Sequence, residues 1–275
     1  MNKIVADFIV TQNHHISEMY SRLVMKEVAG ESTQSSLDYS EIRPGQFVEV
    51  RIDGSKTTFL RRPISINFVV PERREIHLLI RRAGDGTRSL CDCSVGDVIN
   101  VMLPLGNGFT LPQLSAEGGD FEGTGLPYRP LLIGGGVGVA PLLYLGKALS
   151  DSGIRPTFLL AAKSAKDLLE IDRFREFGNV VVSTDDGSEG SPGLVTANPV
   201  LDEKWDQYYC CGPMPMMKAI ARIALDKGVA CEVSLENTMA CGLGACLCCV
   251  EDTVEGHVCV CTQGPVFNVT ALKWF

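Results

Sequence analysis

The sequence predicts a multidomain β plus α/β protein with an N-terminal antiparallel β-barrel, a parallel-sheet α/β domain and a small cysteine-rich C-terminal unit. Three observations support this fold class. Short β-rich runs separated by turn residues fill residues 1–112, strands alternate with helices after Pro130, and six of the eleven cysteines lie between Cys241 and Cys261. Single domains usually span about 100–200 residues, so this chain of 275 residues has room for two or three compact units.

The predicted barrel occupies residues 1–112. Turn pairs such as Pro44-Gly45 and Gly96-Asp97 separate its β-rich runs, and many short strands at this spacing are typical of a sandwich or closed barrel. The predicted strands are 8–10, 20–27, 46–52, 64–69, 75–81 and 98–103. Residues 113–129 carry four glycines without hydrophobic periodicity and are predicted to be a linker.

The α/β domain is predicted over residues 130–228. Strands that alternate with helices indicate a parallel sheet whose ligands bind at the carboxyl ends of the strands. The predicted strands are 131–134, 156–162, 180–183 and 207–211, and the predicted helices are 141–150, 166–177 and 213–227. Residues 229–275 form the predicted cysteine-rich domain.

Composition excludes several classes of protein. The apolar fraction of 45% and the charged fraction of 21% are those of a globular chain. The net charge of -8 disfavours a nucleic-acid binder, which usually carries a basic face. Asp7 interrupts the first apolar run, so no signal peptide is expected, and the uncharged stretch 130–146 is short for a membrane span. We therefore expect a soluble, cytoplasmic protein that binds neither nucleic acid nor membrane.

The cysteine loop CGLGACLCC (241–249) predicts a metal centre. Cys241, Cys246 and Cys249 have the spacing C-x4-C-x2-C, which is the plant-type spacing of a [2Fe-2S] cluster. Glycines in such a loop allow the backbone to wrap closely round a cluster and to direct N–H groups at its sulfurs. The fourth ligand is either Cys259 or Cys261 on this evidence.

Other uses of these cysteines are less well supported. A disulfide scaffold is unexpected in a cytosolic chain, and six cysteines in so short a segment exceed ordinary core usage. A structural zinc site prefers two C-x2-C-like pairs. A Rieske centre needs two histidines, and only His257 lies close by. Cys248 adjoins a predicted ligand and need not be one itself.

Two further motifs predict nucleotide binding. LLIGGGVGVAP (131–141) leads from a strand through a glycine loop into a helix, an arrangement that receives a pyrophosphate. Its match to G-x-G-x-x-G is imperfect, because Val139 stands at the third glycine. In the barrel, RRPISI (61–66) and GDGT (84–87) together supply a guanidinium, two hydroxyls and flexible N–H groups for a dinucleotide diphosphate. Taken separately, they could be an edge strand and a hairpin turn.

The order of these motifs resembles that of the ferredoxin–NADP reductase superfamily. RRPISI, GDGT, GGGVGVAP and CGPMPMMKAI (211–220) occur in that order before the cysteines. MACGLGACLCCV followed by CTQGPVF is similar to the electron-transfer subunits of class B (NAD-dependent) dihydroorotate dehydrogenases. PLGNGF (104–109) and TDDGSEGSPG (184–193) also resemble that family, and the similarity covers essentially the whole chain.

The resemblance implies a role for each motif. It places FAD in the barrel, NAD in the α/β domain and the [2Fe-2S] cluster at the C-terminus, and it selects Cys261 as the fourth ligand because Cys261 precedes the glycine of GPVF by three residues. Ile64 departs from the pattern, because many relatives stack an aromatic residue on the flavin there. The implied FAD contacts are Arg62, Pro63, Ile64, Ser65, Gly86 and Thr87. The implied NAD contacts are Gly134, Gly136, Gly138, Cys211, Gly212 and Pro213, and the implied cluster ligands are Cys241, Cys246, Cys249 and Cys261.

The same resemblance implies a partner. Electrons would pass from an FMN-containing catalytic subunit that oxidises dihydroorotate, through the cluster and FAD, to NAD, in an expected heterotetramer of two subunits of each kind. No catalytic residue for dihydroorotate is expected in this chain. The alternatives are a diaphorase-type subunit of a hydrogenase or of a ferredoxin-dependent transhydrogenase, and a non-enzymatic redox sensor.

Overall fold

The computed structural model describes residues 3–28, 37–113 and 127–275. The chain divides into two compact units, which are described separately. The first unit comprises residues 1–108 together with 236–252 and 256–265. The second comprises residues 109–235 together with 253–255 and 266–275. Most of the predicted linker 113–129 lies outside the described residues.

The first unit is built on a closed barrel of six antiparallel strands, in the order β1-β2-β5-β4-β3-β6. The barrel elements are β1 (Ile4–His15), β2 (Tyr20–Glu27), β3 (Phe47–Val50), β4 (Arg62–Val70), β5 (Glu75–Arg81), helix α1 (Asp85–Cys91) and β6 (Val98–Leu105). Alternation along β1 gives the barrel an inner and an outer face, because Phe8 and Val10 are buried while Asp7 is exposed and Ile9 is half-buried. The predicted antiparallel barrel is confirmed.

The second unit contains a sheet of seven strands in the order β10-β9-β8-β7-β11-β12-β15. Its first elements are β7 (Pro130–Gly135), α2 (Ala140–Asp151), β8 (Thr157–Ala162), α3 (Ile171–Phe177), β9 (Asn179–Thr184) and β10 (Ser191–Pro192). They are followed by β11 (Gln207–Cys211), α4 (Met214–Lys227) and β12 (Ala230–Ser234). All neighbouring strands pair in parallel except β12 and β15 (Val266–Asn268), which pair antiparallel with each other. The predicted parallel α/β domain is confirmed.

The C-terminal segment contributes to both units. It contains the hairpin strands β13 (Val250–Thr253) and β14 (Gly256–Cys259), the short helix α5 (Val260–Gln263) and strand β15 (Val266–Asn268). The cysteine loop belongs to the first unit, whereas β15 pairs antiparallel with β12 in the second. The domain limits 1–112, 113–129, 130–228 and 229–275 stay predictions.

Two predicted elements differ from the structure. GDGT, which taken alone could be a hairpin turn, instead leads into a helix: its last three residues begin α1, whose first turn Thr87 stabilises. The helix predicted over 166–177 begins only at Ile171, because Glu170 has a left-handed backbone with φ of 54° that interrupts the helical run. Within the described residues, no helix is both long and apolar enough to cross a lipid bilayer.

Candidate functional site

The predicted FAD residues lie at the start of β4, which is paired with β3 and β5 in the barrel. Arg62, Pro63, Ile64 and Ser65 pair in register with Val50, Glu49, Val48 and Phe47 of β3. All four are partly exposed, although the neighbouring residues of β3 are fully buried. This stretch of β4 is therefore held by the barrel and still open to a bound group.

The two neighbouring arginines have different surroundings. Arg61 donates to the backbone carbonyls of Glu49 and Asn100, at 3.1 and 3.2 Å, and to Oδ1 of Asn100 at 2.5 Å. Its guanidinium therefore braces strands β3 and β6. Arg62 lies over the first turn of α1 instead, where a Cβ on Gly86 would come within 2.9 Å of its Nε. Glycine at this position lets the guanidinium and the helix backbone approach each other.

Thr87 has a local role as well as its predicted one. Its Oγ1 accepts from the backbone N–H groups of Ala83 and Gly84, both at 3.0 Å, and donates to the carbonyl of Gly84 at 3.1 Å. These bonds close the turn that opens α1, beside Gly86 and the guanidinium of Arg62. The predicted diphosphate residues of the barrel thus lie together, which fits an anionic group.

The cysteine loop directs backbone N–H groups at its thiols. The N–H of Leu243 lies 3.4 Å from Sγ of Cys241, and the N–H of Gly244 lies 3.1 Å from Sγ of Cys261. The N–H of Cys261 in turn lies 3.4 Å from Sγ of Cys249. Donation from Leu243 and Cys246 lowers the pKa of Cys241 to about 6, which favours the thiolate that a metal requires.

The two candidates for the fourth ligand both make a hydrogen bond with the backbone of Gly244. Sγ of Cys261 accepts the Gly244 N–H, a bond that a metal-bound thiolate keeps, whereas Sγ of Cys259 donates to the Gly244 carbonyl at 3.7 Å through a proton that a metal-bound thiolate lacks. Burial raises the pKa of both thiols, so metal binding rather than the free-thiol pKa would deprotonate the ligand. This difference favours Cys261. Among the described residues, no three His, Cys, Asp or Glu side chains converge on a site for a single ion.

The cysteine loop packs directly on the barrel strands of the same unit. A Cβ on Gly242 would lie 3.0 Å from Cγ of Glu49, 3.0 Å from Leu105 and 3.1 Å from Met102. Gly242 has φ of 67°, so both the close approach and the left-handed backbone require glycine. The loop therefore lies against β3 and β6, next to the predicted FAD strand.

PLGNGF, which the sequence left without a chemical role, anchors the cluster segment. The N–H of Asn107 donates to the carbonyl of Gly264 at 2.7 Å, and its side-chain amide donates to the carbonyl of Gln263 at 2.9 Å. These two bonds fix the end of α5 to the barrel. The motif therefore has a structural role: Asn107 holds the backbone of Gln263 and Gly264 in place and supplies no reacting group.

The predicted NAD residues meet at the carboxyl ends of β7 and β11. These strands are neighbours in the sheet, and the strand order reverses between them, which is where open α/β sheets bind ligands. Cys211 pairs with Gly134 across the two strands. A Cβ on Gly138 would lie 2.5 Å from Cα of Gly212 and 2.6 Å from the carbonyl carbon of Cys211. The glycine loop and the CGP motif are thus in direct backbone contact, and Pro213 is the N-cap residue of helix α4.

TDDGSEGSPG forms a closed loop after β9. Oγ1 of Thr184 accepts from the N–H of Glu189 at 3.0 Å and donates to its carbonyl at 2.8 Å. Oγ of Ser188 accepts from the N–H of Ala165, at 2.8 Å, in the turn that follows β8. This motif therefore shapes the segment after the second strand of the sheet, where dinucleotide-binding folds recognise the adenosine ribose.

We expect the protein to use NADH rather than NADPH. Recognition of a 2′-phosphate usually employs an arginine after the second strand. The first arginine after β8 is Arg173, which is paired with Glu170 at 2.6 Å, and only Lys163 and Lys166 precede it. Dye-linked oxidation of the two nucleotides measures the preference, and a higher kcat/KM for NADPH would contradict this assignment.

This architecture defines a flavin- and NAD-linked oxidoreductase subunit that transfers electrons through an iron–sulfur centre. Residues 236–273 match the family model described as the iron-sulfur cluster binding domain of dihydroorotate dehydrogenase B. The chain is 39% identical to the dihydroorotate dehydrogenase B (NAD(+)) electron transfer subunit of Shouchella clausii, over 88% of this chain and 93% of the relative. It therefore belongs to the family of dihydroorotate dehydrogenase B electron transfer subunits, and the resemblance drawn from the motifs is confirmed.

Further comparisons agree with this membership. The electron transfer subunit of Geobacillus sp. (strain WCH70) is 40% identical over 82% of this chain and 84% of its own length. A chain from the NADH-dependent reduced ferredoxin-NADP oxidoreductase structure matches with a TM-score of 0.80 and 28% identity, covering 97% of this chain and 90% of that one. The predicted set of FAD, a [2Fe-2S] cluster and NAD agrees with the family and with the fold.

Proposed function

We propose that this chain carries electrons between an FMN-containing catalytic subunit, which oxidises dihydroorotate to orotate, and NAD in pyrimidine biosynthesis. The observation that carries the proposal is the packing of Gly242 of the cysteine loop against β3, the strand paired with Arg62–Ser65. FAD supplies hydride exchange with NAD, and the cluster supplies one-electron transfer. A relay between a one-electron partner and a two-electron acceptor needs both groups close together.

The proposed FAD and NAD sites lie in different parts of the chain. In the barrel, Arg62 and the turn at Gly86 and Thr87 hold the FAD diphosphate, while Pro63, Ile64 and Ser65 line its place along β4. In the α/β sheet, the backbone of the glycine loop and the CGP motif receive NAD. The proposed FAD residues are Arg62, Pro63, Ile64, Ser65, Gly86 and Thr87, the NAD residues Gly134, Gly136, Gly138, Cys211, Gly212 and Pro213, and the cluster ligands Cys241, Cys246, Cys249 and Cys261.

The exposed part of the cysteine loop is the proposed docking face for the partner. Leu243 and Leu247 are 51% and 64% exposed, and Cys246 between them is also exposed. Leu247 has φ of 56°, a strained conformation for a leucine that presents it to solvent. Met239, two residues before the loop, is buried and is not part of this face.

The proposed complex contains two copies of each subunit, and its proposed location is the cytoplasm. All eleven cysteines are free, which fits a reducing compartment. One observation favours the alternative of a diaphorase-type subunit of a ferredoxin-dependent transhydrogenase. The chain from the NADH-dependent reduced ferredoxin-NADP oxidoreductase structure shares nearly the whole fold. The dihydroorotate dehydrogenase relatives are more similar in sequence, at 39% and 40% identity against 28%.

The dependence on a partner gives the direct test. The isolated protein is expected to reduce a dye with NADH but not to oxidise dihydroorotate. Adding the FMN-containing catalytic subunit should produce dihydroorotate-driven NAD reduction, followed at about 340 nm, the band of reduced nicotinamide. Cys246→Ser should abolish that coupled reaction while sparing most of the dye reaction. Dihydroorotate oxidation by this chain alone would refute the two-subunit arrangement. Reduction of NAD by reduced ferredoxin, without any response to dihydroorotate, would favour the transhydrogenase alternative.

A further inference from the structure

Glu49 is a fully buried glutamate whose carboxyl group lacks a hydrogen-bond partner in the described part of the protein. Its side chain is 0% exposed, and neither Oε1 nor Oε2 accepts a hydrogen bond there. Arg61, the nearest braced arginine, donates to the backbone carbonyl of Glu49 and not to its carboxylate. Burial of an unsatisfied carboxyl group costs folding free energy, so its presence calls for a functional explanation.

The carboxyl group lies between the two proposed redox sites of the first unit. Glu49 pairs with Pro63 of β4 on one side and with Met102 of β6 on the other. Paired residues of neighbouring strands project from the same face of a sheet, so Glu49 shares its face with the middle of the proposed FAD strand. A Cβ on Gly242, the residue after the proposed ligand Cys241, would lie 3.0 Å from Cγ of Glu49, so the cysteine loop passes close to this side chain.

Few charged groups face this carboxyl group. Burial raises the pKa of Glu49 to about 7, the charges of Arg61 and Arg62 oppose that rise, and a negative charge on Cys241 adds to it. Pro63 and Met102, the partners of Glu49 on the two neighbouring strands, do not titrate. At alkaline pH, Glu49 therefore places a negative charge in a water-excluded position beside both sites.

We propose that Glu49 sets the reduction potentials of the bound FAD and the [2Fe-2S] cluster through its negative charge. The proposal rests on the assignment of β4 and the cysteine loop to these two groups. A negative charge in a low-dielectric interior disfavours the addition of an electron nearby, and charge is one of the means by which a protein tunes a cluster or a flavin. Removal of the charge should therefore raise both potentials.

The test compares Glu49→Gln with the wild-type protein in anaerobic redox titrations at pH 8.5. The flavin is followed by its visible absorbance and the cluster by its EPR signal. Glu75→Gln is a matched control, because Glu75 is also buried in the barrel but is paired with Lys26 at 3.3 Å. Glu75 pairs with Val70 of β4. Val70 is eight residues from Arg62 along that strand, a distance of about 26 Å at 3.3 Å per residue.

We expect both potentials to rise in Glu49→Gln and to stay at the wild-type values in Glu75→Gln. Unchanged potentials in a Glu49→Gln protein with full FAD and iron content would overturn the proposal. If that variant loses its cofactors, Glu49→Met provides a neutral side chain of similar length and should show the same rise. Loss of cofactors from both neutral variants but not from Glu49→Asp would assign Glu49 a structural role instead. A wild-type protein without FAD or iron would refute the proposed sites themselves.

Discussion

Serine in place of Cys249 is expected to abolish the visible and EPR signals of the [2Fe-2S] cluster, whereas serine in place of the adjacent Cys248 should leave them intact. The two thiols differ in their surroundings. Cys249 is 2% exposed and its Sγ accepts the N–H of Cys261, while Cys248 is exposed to solvent. A serine hydroxyl is a harder and less acidic ligand than a thiol, so substitution matters only where the sulfur binds iron.

The same comparison decides the fourth ligand. Cys261→Ser is expected to lose the cluster, and Cys259→Ser is expected to retain two irons and two acid-labile sulfides per chain. The contrast follows from their opposite bonds to the backbone of Gly244, since Cys261 accepts its N–H and Cys259 donates to its carbonyl. Iron and sulfide analysis with EPR on anaerobically purified variants measures both outcomes. A cluster that survives Cys261→Ser but not Cys259→Ser would reverse the assignment.

The sequence predicts three of the four cluster ligands but not the fourth. The spacing of Cys241, Cys246 and Cys249 predicts a [2Fe-2S] loop, because such a loop needs its ligands at short fixed intervals. Spacing alone leaves the fourth ligand open, since Cys259, the last residue of β14, and Cys261 stand only two residues apart. The direction of their hydrogen bonds depends on how the chain folds back, and only the structure contains that information.

Other features of the site depend on contacts between distant segments and were missed by sequence reasoning. Glu49 stands in a strongly apolar strand, FVEV, and nothing in its neighbours indicates that a loop almost two hundred residues later covers it. The roles of PLGNGF and of Arg61 are likewise set by tertiary contacts with Gly264 and Asn100. A charged residue at a buried position of a predicted strand was the one available signal for Glu49.

The fold itself was more accessible from the sequence, because strand and helix periodicity are local properties. The barrel and the parallel sheet were therefore predicted, whereas β15 was not. Its three residues, Val266–Asn268, have too little length to show a pattern, and they join the sheet by pairing with β12. The start of α3 was misplaced because Glu170 adopts a left-handed backbone that no simple propensity favours.

Alanine in place of Gly138 is expected to reduce NADH-dependent dye reduction about 100-fold, the loss that a misplacement of about 1 Å produces in an active site. The added Cβ would lie 2.5 Å from Cα of Gly212 and 2.6 Å from the carbonyl carbon of Cys211. Both neighbours are backbone atoms, so the glycine loop and the CGP motif must separate to admit a methyl group. Such overpacking costs about 1–3 kcal/mol of stability, which a folded unit can tolerate.

The expected defect is specific for the nucleotide. FAD and iron content should stay at wild-type levels in Gly138→Ala, because the proposed sites for both groups belong to the other unit of the chain. Gly228→Asn is the control, since Gly228 ends helix α4 with φ of 66° and open space round it, and asparagine tolerates that conformation. Steady-state kinetics with NADH and a dye, together with cofactor analysis, measure the outcome. A wild-type kcat/KM for NADH in Gly138→Ala would show that NAD does not use the junction of the glycine loop and the CGP motif.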